Sequence, residues 1–145
     1  MPTAAYAVLS RTCRSSAEAR ARHGGSVGGL DYSSAGPMTV PGLRAPAVAV
    51  SVGASTACAL LNDQTVQCWG EGRRGQLGNN AAFGSEVPVD VSGIIDAVAV
   101  SVGYVHACAL SKTGSVRCWG ANDGGLGNGS PNSADSAHPV TVIGL

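Results

Sequence analysis

Four of the five cysteines stand in two equal pairs, Cys58 with Cys68 and Cys108 with Cys118, nine residues lying between the partners of each. Thiols so placed could hold a metal or form disulfides. Structural zinc sites draw on Cys-x-x-Cys steps and closely spaced histidines, and the chain has neither. Disulfide formation turns on parity. If each pair flanks a three-residue hairpin loop, Asn62-Asp63-Gln64 or Lys112-Thr113-Gly114, Leu61 faces Thr65 and Cys58 faces Cys68. Ser111 then faces Ser115, and Cys108 faces Cys118. A loop of even length would offset the partners and send them to opposite faces. Directly opposed residues have Cα atoms about 4.5–5.5 Å apart, within disulfide range, and such a bridge stabilises by roughly 2–3 kcal/mol. The other reading is four small buried hydrophobes, a common fate of free cysteine. Cys13 has no partner at this spacing and reads as a free thiol.

Other chemistry is sparse. Gly70-Glu-Gly-Arg-Arg-Gly75 matches G-x-G-x-x-G but leads into Gln-Leu-Gly-Asn-Asn, so no helix follows whose N-terminus could meet a pyrophosphate. The acids (Asp63, Glu71, Glu86, Asp90, Asp96, Asp123, Asp135) are scattered, and none recurs as a catalytic pair. His23 and His138 stand near no nucleophile, and no Ser-His-Asp or Cys-His set can be assembled. His106, two residues before Cys108, has Thr56 as its counterpart before Cys58. Both side chains can hydrogen-bond to backbone at a strand start, which is the role expected of them. Trp69 and Trp119 read as packing aromatics. Asn128-Gly-Ser130 fits a glycosylation sequon but reads as a turn.

The elements that position these residues come in repeats. Val48-Ala-Val-Ser-Val-Gly53 returns unchanged as Val98-Ala-Val-Ser-Val-Gly103, Cys58-Ala-Leu60 as Cys108-Ala-Leu110, and Cys68-Trp-Gly70 as Cys118-Trp-Gly120. Leu77-Gly78-Asn79 returns as Leu126-Gly127-Asn128, one residue short of register. Pro88-Val-Asp-Val-Ser-Gly-Ile94 returns as Pro139-Val-Thr-Val-Ile-Gly-Leu145, and a third copy, Pro37-Met-Thr-Val-Pro-Gly-Leu43, lies upstream. The chain thus divides into units of about 44–94 and 95–145 behind the tail of another. Residues 1–36 read as a degenerate repeat or a disordered N-terminal segment. An Arg-rich targeting peptide is the rival reading there, although no apolar core of a secretory signal is visible.

Within a unit, Val48, Val50 and Val52 alternate with Ala49, Ser51 and Gly53, giving a strand with one branched and one small face. Runs 56–61 and 65–69 form the hairpin around the three-residue loop, where Gly114 suits the left-handed position. A short fourth strand covers 88–91. Four short strands in about 50 residues, with no helix signal, predict an all-β chain of propeller blades.

Composition narrows the function. The chain has 145 residues, nine Lys+Arg against nine Asp+Glu, and 21 glycines with 7 prolines. A formal net charge of zero lacks the basic surplus that phosphate binding requires, so no nucleic-acid partner is expected. Hydrophobic residues at 44% argue against disorder. No apolar run reaches the 18 residues of a membrane-spanning helix.

Gly-x-x-His/Thr-x-Cys-Ala-Leu, Val-x-Cys-Trp-Gly and Gly-Gln-Leu-Gly, in that order, resemble the regulator of chromosome condensation repeat, most of all the bacterial variety with paired cysteines. The resemblance covers about 37–145. It implies four-stranded blades, commonly seven in a ring, and marks Gly53, Trp69, Gly70, Gly78, Gly103, His106, Trp119, Gly120 and Gly127 as structural repeat positions. Seven such units need roughly 350 residues, so an open assembly of two to three blades is expected, as a fragment of a larger propeller.

The function that follows is a non-catalytic protein-binding or scaffold module without cofactor. Its partner is an unidentified protein held by the loops 71–86 and 121–137, which vary while the strands repeat. The alternatives are guanine nucleotide exchange on a small GTPase, by analogy with the family's namesake, and a decayed product with no function of its own. Self-association is expected through open blade faces such as Val48, Val50 and Val52. Paired cysteines place the protein in the periplasm, at the cell surface or outside the cell.

Overall fold

The computed structural model describes residues 40–123, 125–130 and 134–145. The expectations for residues 1–36 and for Cys13 lie outside these. Eight strands run in order: β1 (Ala47–Val52), β2 (Thr56–Leu61), β3 (Val66–Gly70), β4 (Ser85–Asp90), β5 (Ala97–Val102), β6 (His106–Ser111), β7 (Val116–Gly120) and β8 (Ser136–Thr141). They form two four-stranded antiparallel sheets in sequential order, β1-β2-β3-β4 and β5-β6-β7-β8. The described residues contain no helix, and hence none long and apolar enough to cross a membrane. Each sheet is one sequence unit, and neither borrows a strand from the other. Together they are two blades of an unclosed propeller.

The hairpins have the expected parity. Leu61 N–H bonds to Thr65 O and Gln64 N–H to Leu61 O in the first; Ser111 N–H bonds to Ser115 O and Gly114 N–H to Ser111 O in the second. A three-residue loop needs a left-handed residue at its end. Gly114 supplies it at φ 87°, whereas the first blade places Gln64 there at φ 67°. The fourth strand begins three residues earlier than predicted and lies at the sheet edge, where Pro88 and Pro139 cost no ladder hydrogen bond.

Packing follows the alternation of β2. Ala57, Ala59 and Leu61, with Trp69, bury against Leu43, Ala45, Val50 and Val52. Cys58, Leu60, Val66 and Cys68 point the other way and meet Ala107, Ala109 and Trp119 of the second blade. Small residues on the receiving strand β6 let the sheets approach. The small face of β1 does likewise: Ser51 Oγ accepts from Val102 N–H at 2.9 Å, and a methyl group on Gly53 would collide with the carbonyl oxygen of Gly103.

One expectation is corrected here. The branched run Val48, Val50, Val52 is not the open blade face. Val50 and Val52 are packed, and a bulge between Ala47 and Ala49 turns Val48 out to solvent, 62% exposed. The open face lies on the second blade. Leu60 is 4% exposed and its counterpart Leu110 37%; Cys58 and Val66 are buried, while Cys108 and Val116 are half-buried.

Candidate functional site

The two ends of each sheet carry different machinery. One rim holds the β2–β3 and β6–β7 hairpins and the linker between blades, drawn together by hydrogen bonds from Ala97 N–H to Gln64 O and from Lys112 N–H to Asp96 O. Arg44 anchors this rim at the first blade. Its guanidinium donates to Asp90 Oδ2 at 2.8 Å and to Thr65 Oγ1 at 2.6 Å, and its backbone N–H donates to Gln67 Oε1. In the second blade Arg117, at the position of Gln67, donates to Gly93 O at 2.9 Å. Hydrogen bonds from the Thr65 hydroxyl and N–H, reinforced by the Arg44 charge, hold the Asp63 carboxyl below the usual aspartate range.

The opposite rim carries the β3–β4 loop (71–84) and the β7–β8 loop (121–135), and these meet. Arg74 of the first loop reaches across the blade junction to both Asp123 and Asp135 of the second. It donates to Asp135 through Nε at 2.8 Å and Nη2 at 2.9 Å, and to Asp123 through Nη2 at 2.6 Å and again through Nη1. Asp135 also accepts from Asn122 N–H at 2.9 Å, and Asn80 N–H bonds to Ala137 O. The hydrogen bonds from Arg74, more than its field alone, hold both carboxyls below the ordinary range, and they hold the guanidinium charged more firmly still. Around this clasp the rim exposes Phe83 and Arg73. The clasp was not foreseen from sequence, where the acids count as scattered. Its one signal is that Arg74 and Asp123 occupy matching places, each just before the Gly-x-Leu-Gly of its own unit.

The repeat positions sort by role. Gly70 (φ 110°) and Gly120 (φ 107°) end their strands in the left-handed region, with the carbonyl oxygens of Ser55 and Val105 packed where a side chain would stand. Gly78 lies beneath the Trp119 indole and Gly127 beneath Val142. Trp119 and Trp69 are buried; Trp119 Nε1 donates to Gln76 O at 2.9 Å. Gly53 and Gly103 sit at the inner strand ends. Thr56 Oγ1 donates to Glu71 O at 3.0 Å, as expected of a strand-start hydroxyl. His106 does not share that role. Its side chain is exposed and its ring lies against Gly103, without a hydrogen bond to any described residue.

Cys58 pairs with Cys68 and Cys108 with Cys118 in the strand register. Their sulfurs lie at bonding distance, 2.12 and 2.08 Å, with Cα atoms 4.1 and 4.0 Å apart. Ser130 N–H donates to Asn128 Oδ1 in the turn at the sequon. The loop 70–75 forms no phosphate cradle: Glu71 Oε1 already accepts from Gly72 and Arg73 N–H, and a Cβ on Gly72 would strike the carbonyl oxygen of Phe83. Among the described residues no three His, Cys, Asp or Glu side chains converge as metal ligands would.

Comparison with known proteins agrees with this architecture. Family models of the regulator of chromosome condensation (RCC1) repeat match residues 47–76 and 97–125 in one case and 63–110 in another. Among solved structures, human WBSCR16 is similar at TM-score 0.67 and 21% identity, over 81% of this chain and 31% of that one. Yeast RCC1 (Prp20) in its complex with Kap60 is similar at TM-score 0.66 and 23% identity, over 77% of this chain and 26% of that one. Prp20p of Saccharomyces cerevisiae gives 0.67 and 23%, over 77% and 27%. The chain therefore spans less than a third of each of these structures. No curated protein sequence matches it significantly.

Proposed function

Because the chain belongs to the RCC1 repeat family, we propose that it acts as a non-catalytic protein-binding scaffold whose contact surface is the rim formed by loops 71–84 and 121–135. The observation that carries this reading is the Arg74 clasp. It joins two loops of unlike sequence into one continuous rim, while the strands beneath them repeat almost residue for residue. Fixed strands under divergent loops are how a scaffold acquires a specific binding surface. Phe83, 67% exposed in the same loop as the exposed Arg73, gives the rim the mixed aromatic and cationic character favoured at protein contacts. Similar proteins bear on the kind of partner: yeast RCC1 is seen bound to Kap60, and Prp20p has binding properties toward Gsp1p and histones. The cysteine pairs suit an oxidising compartment such as the periplasm or the cell surface.

Photo-crosslinking in the source cell tests the assignment. A photoreactive residue at Phe83 is expected to capture a discrete protein, one lost on Arg74→Ala. The same residue at Thr113, on the opposite rim, is expected to capture none. Capture from Thr113 but not from Phe83 would transfer the site to the hairpin rim.

A further inference from the structure

We propose that Arg73-Arg74 is a proteolytic modification site, for a serine protease whose specificity pocket ends in a carboxylate, and that the Arg74 clasp keeps it closed. The site does not depend on the rim's binding partner. Arg73 and Arg74 are the only adjacent arginines in the chain. They hold the two central positions of a tight turn in the loop 71–84, closed by Gly75 N–H bonding to Gly72 O at 2.9 Å. The turn treats them differently. The Arg73 side chain is 86% exposed, with Glu71 3.7 Å away. The Arg74 guanidinium is taken up by two carboxylates of the other blade, Asp123 and Asp135.

Exposed loop tips are where proteases cut, and a trypsin-type pocket selects a basic side chain by a carboxylate at its base. The clasp already gives Arg74 that environment, from two carboxylates at once. Cleavage of a closed loop proceeds through the molecules in which it has opened. Here the turn must straighten, and Gly75 lies against the backbone of Ser136 and Ala137, so Arg74 has to leave Asp123 and Asp135 first. Release of the clasp is therefore the controlling step. In the cut itself water supplies the oxygen that joins the carbonyl carbon of Arg73 or Arg74. The peptide C–N bond breaks, and the amine of the next residue leaves with a proton. The two pieces stay together, because β3 and β4 remain paired across the cut and Leu60 and Val66 still pack against the second blade. Cleavage opens the rim without dividing the molecule.

The test uses trypsin as the probe, on the native full chain at low salt, with the cut sites located by mass spectrometry. Arg74→Gln removes one of the two cleavable residues, yet it is expected to speed cleavage after Arg73 by about threefold to tenfold, the scale on which exposed ion pairs act. Arg73→Gln keeps the clasp and is expected to be cut as slowly as the parent. Adding Asp123→Asn and Asp135→Asn to it should bring the same acceleration, now after Arg74. Cleavage after Arg117, inside β7, reports unfolding of the whole blade and should not change in any of these variants. Unchanged or slower cleavage after Arg73 in Arg74→Gln overturns the proposal. Acceleration after Arg117 by the same factor also overturns it, since the variant would then act by unfolding. Separation of the cut chain into two pieces on size-exclusion chromatography in native buffer would overturn it too.

Discussion

Trp119 donates its indole N–H to the carbonyl oxygen of Gln76, 2.9 Å away on the preceding blade. The contact combines two effects. The ring is fully buried over Gly78, where any side chain would collide with it, and its one polar atom satisfies a carbonyl in a buried loop. The glycine and the tryptophan, in different units, thus form one joint between blades.

Substitution should separate the two effects. Trp119→Phe keeps an aromatic ring but leaves the Gln76 carbonyl without its donor, at an expected cost of about 1–2 kcal/mol. Trp119→Ala also removes the packing and should cost about 3–5 kcal/mol. Urea unfolding followed by circular dichroism gives both values; no loss in Trp119→Phe would show that the hydrogen bond is idle, and equal losses would show that the packing adds nothing to it.

The repeat made the strands, their order and the cysteine register readable, because a period of two fixes which residues face each other once the loop length is known. The blade junction was less readable. Arg74 meets Asp123 and Asp135 only because two loops from different units fold over one rim, and loops have no period to reveal their neighbours. Val48 escaped for another reason. Alternation places it on one face with Val50 and Val52, but the bulge at Ala47/Ala49 breaks that alternation, and nothing in Ala-Val-Ala announces it. Leu110 shows the limit most plainly: its sequence context matches that of Leu60, and only the blade beyond Leu60 makes the two different.

The hairpin loops offer a paired stability test. Gln64 occupies a left-handed conformation at φ 67° that Gly114 adopts in the other blade at φ 87°. A side chain there costs about 1–2 kcal/mol, partly offset because glycine loses more entropy on folding. Gln64→Gly should therefore stabilise by about 0.5–1 kcal/mol. Gly114→Ala should destabilise by a similar amount, since a methyl at Gly114 meets nothing within 4 Å and the cost is purely conformational. Loss of stability in Gln64→Gly would point to a contact of the glutamine side chain that outweighs the strain.

Close approach at the inner strands predicts a larger effect. Gly53→Ala drives a methyl into the Gly103 carbonyl and against Val102, which only separation of the blades can relieve. The expected loss is about 1–3 kcal/mol. Gly103→Ala meets the His106 ring instead, and an exposed ring can swing away, so its loss should be smaller. Thermal unfolding of the two variants ranks them, and the reverse order would place the tight contact elsewhere.

The clasp gives the rim a dependence on acid. Asp123 and Asp135 are held below their ordinary pKa by Arg74, so their contribution is present above the unfolded value of about 3.9. It is lost as pH falls through the lower folded values. Asp63 is depressed too, so the comparison must be with Arg74→Ala, which leaves Asp63 in place. The thermal midpoint of the parent should exceed that of Arg74→Ala at neutral pH and low salt. The difference should shrink in high salt, as expected for solvent-exposed partners, and should decline as pH falls below about 4. A gap independent of both pH and salt would mean that Arg74 acts by packing alone.

The two cysteine pairs, alike in sequence, should differ in reactivity. Reduction requires a thiolate or phosphine to reach a sulfur. Cys58 and Cys68 are sealed between the blades at 0% exposure, whereas Cys108 is half-buried on the open face. Under limiting reductant Cys108–Cys118 should open first, and Cys58–Cys68 should follow only when the blades part. Because that parting is a conformational opening, mild denaturant should speed reduction of Cys58–Cys68 far more than that of Cys108–Cys118. Quenching with a thiol label and mapping the peptides over time gives both rates. Equal rates in native buffer would mean that the blade junction opens as readily as the free face is reached, and that the second blade gives the first disulfide no protection.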